Sequence, residues 1–219
     1  MKRYNLPTRK ECLAIAKKYR VPSHILKHSF AVAKLAVFLA QRLKEKGIAV
    51  DVELLDRACL LHDIARVCDF KKSDSGSLWQ QLRAKYKGIP HEYAGYEILK
   101  EKYPAVATTV KKHRYMALLN EKERPATWEE KLLYYADKRV MHDKIVPLEE
   151  RLAEGHKRNV HLHGTAAQSK INIAKVDPLI FELEEEIFNK IGLDPVEITD
   201  KLIDSYPTTD NSSASGDES

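Results

Sequence analysis

The 219-residue chain has no uninterrupted apolar stretch of the roughly 18 residues that a membrane-crossing helix needs. Charged or polar side chains break every hydrophobic run, so a soluble protein with no membrane partner is expected. No apolar segment follows the charged start MKRYNLPTRKE, which argues against a secretory leader and makes the cytoplasm the expected compartment. Cysteine is scarce. Cys12, Cys59 and Cys68 are odd in number and lack CxxC spacing, so neither a disulfide framework nor a thiolate zinc site is expected. They read as small buried apolar groups. Glycine and proline are in no excess, and neither an internal repeat nor a heptad run is found. Alternation of apolar and polar residues over six positions is also missing, so no convincing strand is expected.

What is present is 43% hydrophobic residues, enough to bury one sizeable core. Lys and Arg number 37 against 32 Asp and Glu, a net +5. The stretch 206–219 holds three acids and no base, which leaves +8 on the rest of the chain. That balance suits a small anionic partner such as a nucleotide. The cations are scattered among acids with no long basic run, so nucleic acid is not the expected partner. The segment 206–219 is Ser-, Thr- and Asp-rich and reads as a disordered tail. Asn211-Ser212-Ser213 within it reads as a chance glycosylation sequon.

Helical patterns fill the remainder. Thr8 with Glu11 is a capping box that opens a first helix reaching Tyr19. After Ser23 as N-cap, His24 to Lys46 puts Leu26, Phe30, Ala33, Leu35, Val37, Phe38 and Leu43 on an apolar face ending at Gly47. Asp51 opens a third helix, in which Leu54, Leu55, Ala58, Leu61, His62 and Ala65 keep helical spacing. Further helices are expected over Leu78–Tyr86, His91–Lys102, Ala105–Lys112, Thr127–Val140 and Leu148–Ala153, with Thr127 and Glu130 forming a second capping box. A last one has Asp177 as N-cap, Pro178 at N1 and Gly192 at C′. The stretch from Glu154 to Ala174 is the least patterned and reads as a loop excursion. The expected fold is all-α, a compact helical bundle. Its parts are an N-terminal helix over 1–22 packed on a core of 23–152, C-terminal loop and helices over 153–205 completing the same domain, and the tail.

The histidines carry the chemistry. His28, the pair His62-Asp63, His91, His113 and Asp137 lie 34, 28, 22 and 24 residues apart, each about one helix and its turn. A bundle builds metal sites from side chains on facing helices, and imidazole with carboxylate suits iron, manganese or zinc rather than calcium. Six such groups exceed the needs of one tetrahedral ion and suit two ions with a bridging carboxylate, for which Asp63 is the candidate. Spacing alone is equally compatible with hydrogen-bonded core histidines. The apolar surroundings of the pair in ACLLHDIA, and of Asp137 in KLLYYADKRV, tilt the balance, because burying those groups is costly without a metal or a polar network.

His28 in HSFAVAKLAVFLA, LLHDIAR around His62-Asp63 and ADKR around Asp137 resemble the HD-domain metal-dependent phosphohydrolases. HEYAGYEIL at His91 and VKKHRY at His113 sit where the extra histidines of the binuclear members fall. The order of these residues, with EEKLLYYADKR, is most similar to the bacterial symmetrical dinucleoside tetraphosphate hydrolases. The sequence has Ala65 and Arg66 where those enzymes have HDIGK, which keeps the cation and leaves substrate preference open. The resemblance covers roughly Ser23 to Leu152.

The resemblance implies an all-α HD-type core that carries two divalent ions, iron or manganese first, with magnesium or zinc also admissible. His28, His62, Asp63, His91, His113 and Asp137 would be the ligands. It implies hydrolysis of a nucleotide phosphoanhydride or phosphoester, with Asp63 and Arg66 catalytic and Arg66, Arg114 and Lys138 binding phosphate. Lys112 and Arg139 could serve likewise or be helix-end charges. The alternatives are a mononuclear nucleotidase or signalling-nucleotide phosphodiesterase, a non-catalytic nucleotide-binding module, and a helical RNA-binding adaptor. Homodimerisation stays open. His24 reads as a first-turn surface residue, His142 as a bystander, and His161 and His163 as loop histidines. Tyr93, Tyr96, Tyr115, Trp128, Tyr134 and Tyr135 read as mostly core, with one free to stack a purine.

Overall fold

The Thr8–Glu11 capping box forms, with both reciprocal hydrogen bonds, and starts α1 (Arg9–Lys18). A computed structural model describes residues 5–69, 76–159 and 165–206. Cys12 of α1 is in the core and Arg9 pairs with Asp56 at 2.8 Å, which fixes the helix against α3 (Val52–Leu61). The long α2 (Ser23–Glu45) is central. Its Val32, Leu35, Ala36, Leu39, Ala40 and Leu43 are buried at helical spacing, and the alanines let neighbouring helices approach closely. Pro22 rather than Ser23 occupies the N-cap. Phe30, expected on the apolar face, is 43% exposed because it lies to the side of that buried stripe.

The third helix stops earlier than its periodicity suggests. Asp51 caps it through Leu54 N–H, but it ends at Leu61 instead of running through Ala65. The His62 ring takes the Cys59 carbonyl that the Asp63 N–H would otherwise use in the helix ladder. The chain then tightens into bonds three residues apart and a 3₁₀ turn over Arg66–Asp69. There follow α4 (Ser77–Lys85), α5 (His91–Leu99), α6 (Pro104–Lys111) and α7 (Trp128–Asp137), each end within three residues of expectation, with an unexpected 3₁₀ turn over Tyr115–Leu119 before α7. The Thr127–Glu130 box caps α7 as expected. α5 sits close against its neighbours at Gly95, where a Cβ would lie 3.3 Å from Val110 and 3.6 Å from Ile64.

Two features depart from the expected layout. A hairpin of β1 (Val140–Met141) and β2 (Lys144–Ile145) follows α7, too short for alternation to show in the sequence. His142 at its tip adopts a left-handed backbone, φ 57°. The second departure is that the described residues of Glu154–Ala174 are largely helix, not a loop: α8 runs over Leu148–Asn159, and α9 over Ala166–Ile191 with Thr165 as its cap. Pro178 is therefore inside α9 and Asp177 is not an N-cap. A proline there removes a backbone bond at a cost of about 3 kcal/mol. The stripe Val176, Ile180, Leu183 and Ile187 is buried without a break across it, and that burial keeps the helix going. Gly192 closes α9 with φ 72°, as expected. A 3₁₀ turn over Pro195–Glu197 and α10 (Asp200–Ser205) complete an all-α fold among the described residues. His161, His163, Asn211 and the tail beyond Tyr206 lie outside the described residues.

Candidate metal centre

Three helix C-termini converge on one point. α3 delivers His62 and Asp63 just past its last turn, α6 delivers His113, and α7 delivers Asp137 as its final residue. His28 comes from the second turn of α2 and His91 from the first position of α5. Helix C-termini carry partial negative charge, and a carboxylate there is opposed by the dipole unless a cation is near. Two such carboxylates at one place make a strongly cation-seeking site.

The six residues are in mutual reach. The ring centroids of His28 and His62 are 5.3 Å apart, those of His62 and His113 5.0 Å, and those of His91 and His113 5.3 Å. Asp63 lies 3.0 Å from His91 Nε2 and 3.7 Å from the Nε2 atoms of His62 and His113. Asp137 lies 3.0 Å from His28 Nε2 and 3.6 Å from His62 Nε2. His62, Asp63, His91 and His113 are buried, while the side chains of His28 and Asp137 keep 11% and 13% exposure toward a cavity.

Each imidazole is turned the same way. His62 Nδ1 donates to the Cys59 carbonyl at 2.7 Å and His113 Nδ1 to the Val110 carbonyl at 2.6 Å. Both use a carbonyl three residues back, in the last turn of the preceding helix. His28 Nδ1 donates to the His142 carbonyl at 2.9 Å, and His91 Nδ1 to Asp69 at 2.7 Å. All four Nε2 atoms are thereby turned toward the two aspartates, the arrangement that orients metal-bound imidazoles once Nε2 has given up its proton. His62 Nε2 is buried and has no hydrogen-bond partner among the described residues.

The electrostatics agree. Burial alone would raise the Asp63 carboxyl, yet His62, His113 and His91 hold it well below the usual carboxylate range. Asp137 is likewise held far down against its burial, by Lys138, His28 and His62. Burial would lower His91, but Glu92, Asp63 and Asp69 overcome it and push it up to about 10. His113 is lowered by burial, with His62 and His91 adding to it. The negative charge that raises His91 is charge that a divalent cation would also serve. Two triplets, His28–His62–Asp63 and Asp63–His91–His113, each bring their ligand atoms within 4.8 Å of one another and could hold an ion, and Asp63 belongs to both.

Above the centre is a cavity of about 550 Å³, within the range of small-molecule sites. Arg66 lines it, with its guanidinium 3.2 Å from Asp69 and 3.1 Å from His91. Arg114 lines it as well. Lys138 reaches it but is largely committed, donating to Asp137 at 2.7 Å and to the His113 carbonyl at 2.8 Å. Lys112 is tied to Glu130, and Arg139 to Glu184 and the Pro195 carbonyl, so both belong to the scaffold. Exposed His24 lines the cavity, and His142 contributes its carbonyl to His28. The sequence reading missed Asp69, which orients His91, and Glu92, which is buried beside it. No spacing signal marks Asp69, whereas an acid directly following a candidate ligand could have drawn attention to Glu92.

The HD domain family matches residues 25–141. The chain is 27% identical to a tRNA (cytidine(56)-2'-O)-methyltransferase of Picrophilus torridus over 209 residues, 90% of this chain and 51% of that protein. It therefore spans about half the length of that relative. It is 28% identical over 147 residues to an uncharacterized protein of Methanocaldococcus jannaschii, covering 62% of this chain and 77% of that one. No solved structure matches. With the matched stretch holding His28, the His62-Asp63 pair, His91, His113 and Asp137 in order, the chain belongs to the HD-domain family.

Proposed function

We propose that the protein is a metal-dependent phosphohydrolase acting on a nucleotide phosphoester or phosphoanhydride. The observation that supports it best is the shared orientation, in which four imidazoles tied down at Nδ1 aim Nε2 at two aspartates. Two divalent ions, iron or manganese first, fit the two triplets with Asp63 common to both, and Asp137 completes the set beside His28 and His62. Bound there, the ions supply Lewis acidity that acidifies water and neutralises phosphate charge. The chain's own groups bind and orient. Arg66 and Arg114 face the cavity as phosphate donors, Lys138 fixes Asp137 for its role, and the 550 Å³ cavity shelters the phosphorus from bulk water. The order of the histidines favours a dinucleoside polyphosphate as the narrower substrate, with mononucleotides and cyclic nucleotides separated from it by their products.

A second reading places the phosphoester on RNA. It is favoured by the likeness of 90% of this chain to half of a protein named as a tRNA methyltransferase. Elemental analysis of the purified protein, with product analysis on dinucleoside tetraphosphate, mononucleotides, cyclic nucleotides and a terminally phosphorylated oligoribonucleotide, tests both. The expected result is about two ions per chain and metal-dependent release of one product class. Asp63→Ala should remove both metal and turnover. Full activity in that variant, or no metal and no turnover in the parent, overturns the reading.

A further inference from the structure

One wall of the cavity comes from outside the matched stretch. α8 brings Arg151, His156 and Arg158 to the space that Asp63 and His28 border. The three side chains differ in what they can do. Arg151 and Arg158 cannot give up a proton near neutrality and serve an anion by charge and N–H donation. Both also pair with Glu154, at 3.4 and 3.5 Å, which holds them beside each other at the cavity. A histidine can pass a proton on.

His156 is built for a fixed orientation. Its Nε2 lies 2.8 Å from Asp177 Oδ2, and the other oxygen of that carboxylate accepts from the Tyr115 hydroxyl at 2.6 Å. The Tyr115 ring packs edge-on against the imidazole, with centroids 5.8 Å apart and planes at 74°. Tyr115 is itself anchored, its carbonyl accepting from the Tyr134 hydroxyl at 2.8 Å. Three elements, α8, α9 and the 3₁₀ turn after α6, thus converge to hold one imidazole at the cavity, with 22% of its side chain exposed. The turn and α7 also carry the candidate ligands' neighbours, so the dyad is rigidly tied to the metal centre. Asp177 accepts from Nε2–H, which leaves Nδ1 as the ring atom that can hand a proton on.

We propose that His156 is the general acid of the hydrolysis, donating its proton to the leaving oxygen while Asp177 and Tyr115 position it. This rests on the hydrolase reading above. In an in-line displacement the water oxygen bonds to phosphorus as the bond to the leaving oxygen breaks. The electron pair of that bond goes to the leaving oxygen, which takes the proton of His156. The proton lost by the attacking water passes to solvent, and the neutral imidazole regains one from solvent, so the cycle closes without a further reactant. A phosphate leaving group needs little such help, whereas an alkoxide needs it strongly. Of the two classes in the hydrolase reading, this device therefore selects a phosphoester of a sugar hydroxyl over the phosphoanhydride of a dinucleoside polyphosphate.

The test compares metal-loaded parent protein with His156→Gln and Asp177→Asn. Glutamine keeps a donor for Asp177 but transfers no proton. Each protein is assayed on p-nitrophenyl and nucleoside esters, as monoester and as diester, which differ chiefly in the acidity of the leaving alcohol. His156→Gln should lower kcat on the nucleoside ester by about 10²- to 10⁴-fold. Its loss on the p-nitrophenyl ester should be at least tenfold smaller, at little change in KM. Asp177→Asn should show the same asymmetry with smaller size. Equal losses on both esters, or no loss, overturn the assignment and leave the hydrolase reading standing. No metal-dependent turnover of any ester by the parent overturns that reading and this one with it.

Discussion

Two of the four imidazoles at the centre are oriented by the ends of their own helices. His62 and His113 each follow a terminating helix and donate Nδ1 to the carbonyl three residues back. The residue types were readable in the sequence. Their tautomers were not, because that choice depends on where a helix stops, and a helix end is set by the side chain that claims its free carbonyl. His91 is the contrasting case, since its Nδ1 is held by Asp69, 22 residues away on a 3₁₀ turn. Asp69 is partly buried and shared between His91 and Arg66, so it fixes both a candidate ligand and a candidate phosphate donor. Asp69→Ala should free the His91 ring and weaken metal affinity or activity by about 10- to 100-fold. Metal titration of the variant checks this, and parent-like affinity would mean that burial alone holds the ring.

Element by element, the local rules were followed where local chemistry decides. Both Ser/Thr-x-x-Glu boxes cap the helices they were expected to cap, and Asp51 caps α3. The rules failed where tertiary burial overrides them. Asp177-Pro178 has the form of a helix start, yet the apolar stripe through Val176 and Ile180 carries α9 across it. Asp177 is thereby released for His156 and Tyr115. Close approach is another property invisible to pattern. Gly95 lies where α5 meets α6 and the end of α3, with Val110 at 3.3 Å, Ile64 at 3.6 Å and the His62 carbonyl at 3.9 Å from where a Cβ would stand. Gly95→Val would force α5 away from the two helices that deliver His62 and His113. Overpacking of this kind costs about 1–3 kcal/mol. The expected outcome is a lower melting temperature together with weaker metal retention, because the same displacement moves His91. A fall in stability with metal binding intact would show that α5 can shift without carrying His91 along.

At the scale of the whole molecule, charge is segregated about one cavity. The floor holds Asp63, Asp137 and the negative ends of α3, α6 and α7, and cations from the 3₁₀ turn and α8 line the walls. A protonated His91 offsets part of that negative charge. His62 Nε2 is buried and unpaired among the described residues. An ion that binds the folded protein and not the unfolded chain stabilises it by about 2.7 kcal/mol at a hundred times its Kd. For a chain of this size 1 kcal/mol moves the midpoint by roughly 2–4 °C, so the gain should be about 5–10 °C. A chelated sample should therefore melt lower than one supplied with manganese or iron, and the difference should vanish in Asp63→Ala, where both triplets lose their common carboxylate. The candidate ligands come from elements between α2 and α7, so an ion held by either triplet would tie together helices distant in the chain, and the gain should appear as a shift of the whole cooperative transition. A shift that persists in Asp63→Ala would place the stabilising ion elsewhere, and calorimetry of the two proteins with and without metal decides between these outcomes.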